Sequence, residues 1–271
     1  MIKKNAAFNH KIVEVNSLTK YFGDFKALDN LSFDIAKGEV LVILGENGAG
    51  KTTTLRCLAG ILKPSQGSVI IDGIDVEDDP EMVREQVGML SELPGLYDRM
   101  TPVDYLDFFG KAYGLDENVR REKTLELLEM FGLEQRLDVW LGNFSKGMRQ
   151  KVALIRAVLH QPKLILLDEP TSSMDPAGAK LTWNYIHNLK LTGLSIVVCT
   201  HNLRETAQVA DEIAIMAKGK ILRRGTLTEL QKGLGLKPRY VKTLVPGLED
   251  IYIKTMKEAG FAPVTSVGEE K

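Results

Sequence analysis

The sequence predicts an α/β fold: a phosphate-loop core, a small antiparallel β subdomain and an inserted α-helical subdomain. Two unbroken apolar runs predict the core, Val40-Leu41-Val42-Ile43-Leu44 and Leu164-Ile165-Leu166-Leu167. Each has the length and character of a strand covered on both faces. A glycine-rich loop joins the first run to Leu55, Leu58, Ala59 and Leu62, the spacing of a helix packed on a sheet. Between the two runs the pattern turns helical from about residue 92, which marks the insert.

The 271 residues suffice for one large domain, or a domain with an insert, and an ample core. Lys+Arg number 35 against 36 Asp+Glu, a formal net charge of −1, which argues against a nucleic-acid binder relying on a basic field. Cys57 and Cys199 lack metal-ligand spacing and fall in core elements, so they read as reduced thiols of a cytosolic protein. No apolar stretch follows Met1-Ile2-Lys3-Lys4-Asn5, which predicts no signal peptide, and no segment approaches the ~20 apolar residues of a membrane span.

Residues 12–44 show short strand-like alternation, with Leu31, Phe33 and Ile35 on one face. Between the first two such runs lies Lys20-Tyr21-Phe22-Gly23-Asp24. Two aromatics beside a glycine suit either a stack on a nucleobase or a core or turn position. Gly45-Glu46-Asn47-Gly48-Ala49-Gly50-Lys51-Thr52-Thr53 then fits G-x-x-x-x-G-K-[ST] in the strand–loop–helix context that pattern requires. Glycines let successive N–H groups converge on one anion at a helix N-terminus. Lys51 can reach β- and γ-phosphates, and the Thr52 hydroxyl can ligate Mg²⁺.

Lys63-Pro64-Ser65-Gln66-Gly67 ends that helix, and Ser68 to Ile71 reads as a strand closing at Asp72-Gly73. In the insert, Thr101-Pro102-Val103-Asp104 has an N-cap, a proline at the first helical position and an early acid. Phe131-Gly132-Leu133 marks a break. Ser145 can cap a helix carrying Met148, Val152, Ile155 and Leu159, which stops before Pro162.

The alternation resumes at Leu164 to Leu167, which runs into Asp168-Glu169-Pro170. Asp175-Pro176 starts a helix, Gly193 stops it, and Ser195 to Cys199 is the next strand. Asn202-Leu203-Arg204-Glu205 resembles a capping box. Ile213 to Met216 and Ile221-Leu222 close the sheet around Lys218-Gly219-Lys220. Past Gly225 regularity weakens: Gly233, Gly235 and Pro238 suggest a linker, Leu248 to Met256 a terminal helix, and the last residues to Lys271 a frayed end. No motif occurs twice, so the chain reads as one unit.

Asp168 and Glu169 follow a buried strand, at the sheet edge where open α/β folds bind ligands. Asp168 suits Mg²⁺, and Glu169 suits a base that orients and deprotonates a water. Adjacent carboxylates hinder each other's ionisation, so nearby cations are needed to keep both charged.

With these elements in order from about residue 12 to residue 226, the chain resembles the nucleotide-binding subunit of an ATP-binding cassette (ABC) transporter. Phe22, with Tyr21 as its one-residue alternate, matches the aromatic that stacks on adenine. Gly45 to Thr53 matches the Walker A loop, which implies ATP contacts at Asn47, Gly48, Ala49, Gly50, Lys51, Thr52 and Thr53. Leu164 to Glu169 matches Walker B. Phe144-Ser145-Lys146-Gly147-Met148-Arg149-Gln150 occupies the family signature, Ser173-Met174-Asp175 the D-loop, His201 the switch histidine, and Met89-Leu90-Ser91-Glu92 the Q-loop.

The resemblance implies a P-loop NTPase core over 1–91 and 160–226, the helical subdomain over 92–159 and a C-terminal extension over 227–271. It implies an ATPase using ATP and Mg²⁺, with Lys51, Glu169 and His201 catalytic and Thr52, Asp168 and Glu92 around the metal. In a head-to-tail homodimer, or a pair with a similar ATPase subunit, Ser145 and Gly147 would cover the γ-phosphate bound at Lys51 of the other copy. A separate transmembrane permease would hold the subunit on the cytoplasmic face of the membrane and choose the cargo. The insert would meet it, with one or two of Tyr105, Phe108, Phe109 and Tyr113 lining the groove and the others in the core. The signature form, with Pro94-Gly95-Leu96-Tyr97-Asp98, looks most like exporter-type members. Three residues depart from the pattern: Glu92 for the usual glutamine, Lys146 for the first signature glycine, and Met148 for the signature glutamine. The alternative is a soluble single-cassette ATPase such as a cluster-assembly factor, while a non-hydrolytic sensor would lack Glu169.

Overall fold

The computed structural model describes residues 10–235, 251, 254–256 and 258–260. From the N-terminal side come β1 (Lys11–Phe22), β2 (Phe25–Ala36), β3 (Val40–Leu44), α1 (Lys51–Leu58), β4 (Gln66–Ile71), β5 (Ile74–Asp75), α2 (Pro80–Gln86) and β6 (Val87–Leu90). The helical block is α3 (Pro102–Ala112), α4 (Glu117–Met130) and α5 (Lys146–Leu159). Then follow β7 (Leu164–Asp168), α6 (Pro176–Leu191), β8 (Ser195–Thr200), α7 (Leu203–Thr206), β9 (Glu212–Ala217), β10 (Lys220–Gly225) and α8 (Leu227–Gly233).

Two sheets result. An antiparallel sheet runs β2-β1-β4-β5, and a six-stranded sheet runs β10-β9-β3-β8-β7-β6. All neighbours in the larger sheet are parallel except β10 and β9. Every residue of β3, β7 and β8 is buried, which is why these strands read as continuous apolar runs. One face of this sheet joins the helical block in a single apolar cluster with Tyr105, Leu128, Phe131, Val152 and Ile155. The other face packs with α1 and the antiparallel sheet through Leu41, Ile43, Leu55, Val15 and Phe33.

The first two strands are twelve residues each, longer than the short alternation suggests. Register shifts along their pairing break the strict period of two, so the sequence pattern looks shorter than the strand. Asp72-Gly73 and Lys218-Gly219 turn with φ of 47° and 83°, and 46° and 73°. Both residues of each pair are left-handed, as tight hairpins demand. Thr101, Ser145 and Asp175 cap α3, α5 and α6, each accepting from the backbone of the first turn.

Three elements go beyond the sequence reading. Helix α2 buries only Val83, and β6 is a four-residue edge strand containing Gly88. Helix α8 lies where a loss of regularity was expected; its Thr226–Glu229 capping box is present in the sequence. Helix α7 has only four residues, so the apparent capping box at Asn202 opens a single turn. Leu230, Leu234, Ile251 and Met256 are buried in the core cluster, so part of the 227–271 extension is integral to the fold. Ile251 and residues 254–256 are helical, while the rest of the expected 248–256 helix, Pro238 and the chain's last residues lie outside the described residues.

Candidate functional site

Strand β3 delivers the chain to Gly45, where a Cβ would lie 2.5 Å from the Met216 carbonyl oxygen. Gly48 and Gly50 are left-handed, with φ of 81° and 107°. These constraints curl the loop so that α1 starts at Lys51 with no side-chain cap and no acid in its first turn. The helix therefore points unclaimed backbone donors and its positive end into a cleft of about 440 Å³.

Lys51 is buried. Its Nζ donates to the carbonyls of Gly45 at 2.7 Å and Glu46 at 3.2 Å, and lies 3.7 Å from Glu169 Oε1. The Thr52 hydroxyl donates to Asp168 Oδ2 at 2.6 Å. The Glu169 carboxylate is held at both oxygens: Thr200 Oγ1 donates to Oε2 at 2.8 Å, and His201 Nδ1 meets Oε1 at 2.8 Å. Burial holds the Asp168 carboxyl above its ordinary range, and the charges of Glu169 and Glu92 act in the same direction. Desolvation thus outranks the repulsion between adjacent carboxylates anticipated from their spacing.

Phe22, Asn47, Gly48, Gly50, Lys51, Thr52, Thr53, Glu92, Asp168 and Glu169 line the cleft. Ala49 is buried beneath the loop, and Tyr21 is not a lining residue. Adjacent strand residues point to opposite faces, which separates the two aromatics. Phe25, which the sequence reading missed, lines the cleft with its side chain exposed. It pairs with Phe22 across the β1–β2 hairpin, so the signal was an aromatic on each side of Gly23-Asp24.

Ser145 and Gly147 do not line this cleft. Ser145 caps α5, and a Cβ on Gly147 would lie 3.1 Å from the Ser173 carbonyl oxygen, so the signature turn packs on the loop after Glu169. Among the described residues no group of three or more His, Cys, Asp and Glu is placed to hold a metal. The Thr52–Asp168 pair with Glu92 on the rim still fits Mg²⁺, which takes one or two carboxylates and completes its shell with phosphate and water oxygens. Both cysteines are buried; burial pushes the Cys57 thiol up to about 11, and Cys199 also rises, as inert core thiols do.

The model of the ABC transporter family matches residues 28–172. The chain is 41% identical over 206 residues to the ABC transporter ATP-binding protein NatA of Bacillus subtilis (strain 168), covering 76% of this chain and 84% of that protein. It is 35% identical over 222 residues to the bacitracin transport ATP-binding protein BcrA of Bacillus licheniformis, covering 82% and 72%. Among solved structures, a dimeric post-hydrolysis ATP-binding cassette with ADP and Pi aligns with a TM-score of 0.74 at 27% identity, over 79% of this chain and 98% of that one. A phosphate loop at an uncapped helix, two acids at the end of β7 in the same sheet and this family match converge: the chain belongs to the ABC transporter family, as one of its ATP-binding proteins.

Proposed function

We propose that this chain hydrolyses ATP to drive transport, in the export direction, through a separate membrane permease. The observation that carries the reading is the Glu169 carboxylate, gripped by Thr200 and His201 and facing Lys51 across a cleft that ends at the α1 N-terminus. Lys51, released from the Gly45 and Glu46 carbonyls, holds the β- and γ-phosphates together with the backbone donors of 47–53. Glu169 takes the proton of the attacking water, and His201 holds that water and the γ-phosphate in line. Mg²⁺ held at Thr52 and Asp168, with Glu92 on the rim, would supply charge neutralisation on the phosphates.

Ser145 and Gly147 lie away from their own cleft, which suits a head-to-tail pairing in which they cover the nucleotide of a second copy. The dimeric state of the related cassette supports that pairing. No helix among the described residues is long and apolar enough to cross a membrane, so the permease is the anchor in this reading. Its docking face is the exposed Leu93, Tyr97 and Phe108 beside half-buried Phe109, with Tyr105 in the core. The bacitracin-transport name of BcrA supports a transport role, and the export direction rests on the likeness of the Phe144 to Gln150 signature form to exporter-type members. The test is an affinity pull-down of the Glu169→Gln protein from detergent-solubilised membranes with and without MgATP. Recovery of a polytopic membrane protein supports the reading, and recovery of soluble proteins alone overturns it in favour of a cluster-assembly ATPase.

Two substitutions probe the cleft itself. Phe22→Ala should weaken ATP binding by about 1–3 kcal/mol, the worth of an aromatic stacked on a base, while Tyr21→Ala leaves it near the parent value. Titration with a fluorescent nucleotide checks this, and equal losses would return the stacking role to both. Glu92→Gln should shift the Mg²⁺ concentration for half-maximal hydrolysis, because Glu92 adds a carboxylate beside Asp168. Superimposable Mg²⁺ titrations of the two proteins would remove Glu92 from the metal.

A further inference from the structure

The peptide that carries Glu169 is in an unusual state. Its φ is +48°, a left-handed conformation costing a non-glycine residue roughly 1–2 kcal/mol. Such a conformation persists only where neighbours fix it. The Glu169 N–H donates to the Cys199 carbonyl at 2.8 Å, and its own carbonyl accepts from the Ser172 N–H at 3.3 Å. A second donor reaches that carbonyl from elsewhere in the chain: Nε2 of Gln150, at 3.4 Å. Gln150 is only 1% exposed and sits in the second turn of α5, so its amide has no water to fall back on.

We propose that Gln150 is a positioning residue for Glu169, tying α5 to the backbone that aims the carboxylate. The inference rests on the reading of Glu169 as the base. Gln150 is not needed to grip the carboxylate oxygens, which Thr200 and His201 already hold. It acts one step back, on the peptide plane from which the side chain starts. The first turn of α5 makes a second contact with the same loop, at Gly147 against Ser173. The turn bearing Ser145 and Gly147 and the peptide bearing Glu169 are thus one packed unit. In the proposed dimer, closing that turn over a partner's nucleotide would set the base in its own site.

The test is Gln150→Met, similar in length and apolar, with Gln150→Glu as a second variant that keeps the shape and puts an acceptor against the carbonyl. Hydrolysis should fall roughly 10- to 100-fold in kcat, as for small misplacements of a reacting group, with KM and nucleotide affinity near the parent values. In a Glu169→Gln background the same substitutions should cause no further loss, because residues acting as one unit are non-additive. An unchanged kcat overturns the proposal, whether or not the melting temperature drops. So do losses that multiply in the double variant, or a loss confined to KM. Failure of the underlying reading is distinct: Glu169→Gln alone would then turn over normally, whatever Gln150 does.

Discussion

Glu169→Gln is expected to bind ATP as the parent does and to hydrolyse it roughly 10²–10⁴-fold more slowly, the usual worth of a positioned general base. The amide keeps the size of the side chain and can still accept from Thr200 through its oxygen. It cannot take a proton from water. Removing the carboxylate also frees Lys51 of a neighbour at 3.7 Å, which does not weaken its hold on phosphate. Binding and chemistry should therefore separate, and in the proposed dimer the nucleotide should persist between two copies. Phosphate release at saturating MgATP and light scattering with and without ATP read the two halves of the expectation. Turnover within a few-fold of the parent, or a protein monomeric with ATP, would falsify it.

Gly88→Ala should produce a large loss of stability, its Cβ making the closest contact of any added at the described glycines. A Cβ at Gly88 would lie 1.8 Å from the Ala157 carbonyl oxygen and 2.9 Å from the carbonyl carbon. Those are backbone atoms of α5, so no rotamer change relieves the contact; β6 and α5 must part. Overpacking of this kind costs about 1–3 kcal/mol and at times more. For a chain of this size that is a drop in melting temperature of roughly 2–4 °C per kcal/mol. Gly233→Ala, where a Cβ meets nothing within 4 Å, is the control. Equal melting temperatures for the two variants would mean that β6 does not pack on α5 as described.

The core was legible because its signals are local. An apolar run, a glycine loop and a helical stripe occupy consecutive residues, and the acids of Asp168-Glu169 end a second such run. Caps at Thr101, Ser145 and Asp175 were legible for the same reason. What stayed hidden depends on contacts distant in sequence. Val87-Gly88-Met89-Leu90 is too short and too interrupted to announce a strand, and its glycine is explained only by α5 lying on it. Phe25 reaches the cleft because a hairpin sets it opposite Phe22. Gln150 stands in the sequence as the last residue of the signature stretch, with no role of its own until Glu169, 19 positions away, is seen beside it. That Phe22 lines the cleft and Tyr21 does not agrees with the two-residue period of a strand, but which of the two faces inward shows only in the fold.

The bare start of α1 has a consequence for the protein's life outside catalysis. A helix that ends without a cap leaves backbone donors unsatisfied and its first turn prone to fray. A nucleotide seated there does what a capping side chain does elsewhere, so occupancy adds RT ln(1 + [L]/Kd) to the stability of the whole chain. The nucleotide is in that sense a structural component: the protein's persistence rises and falls with the supply of ATP.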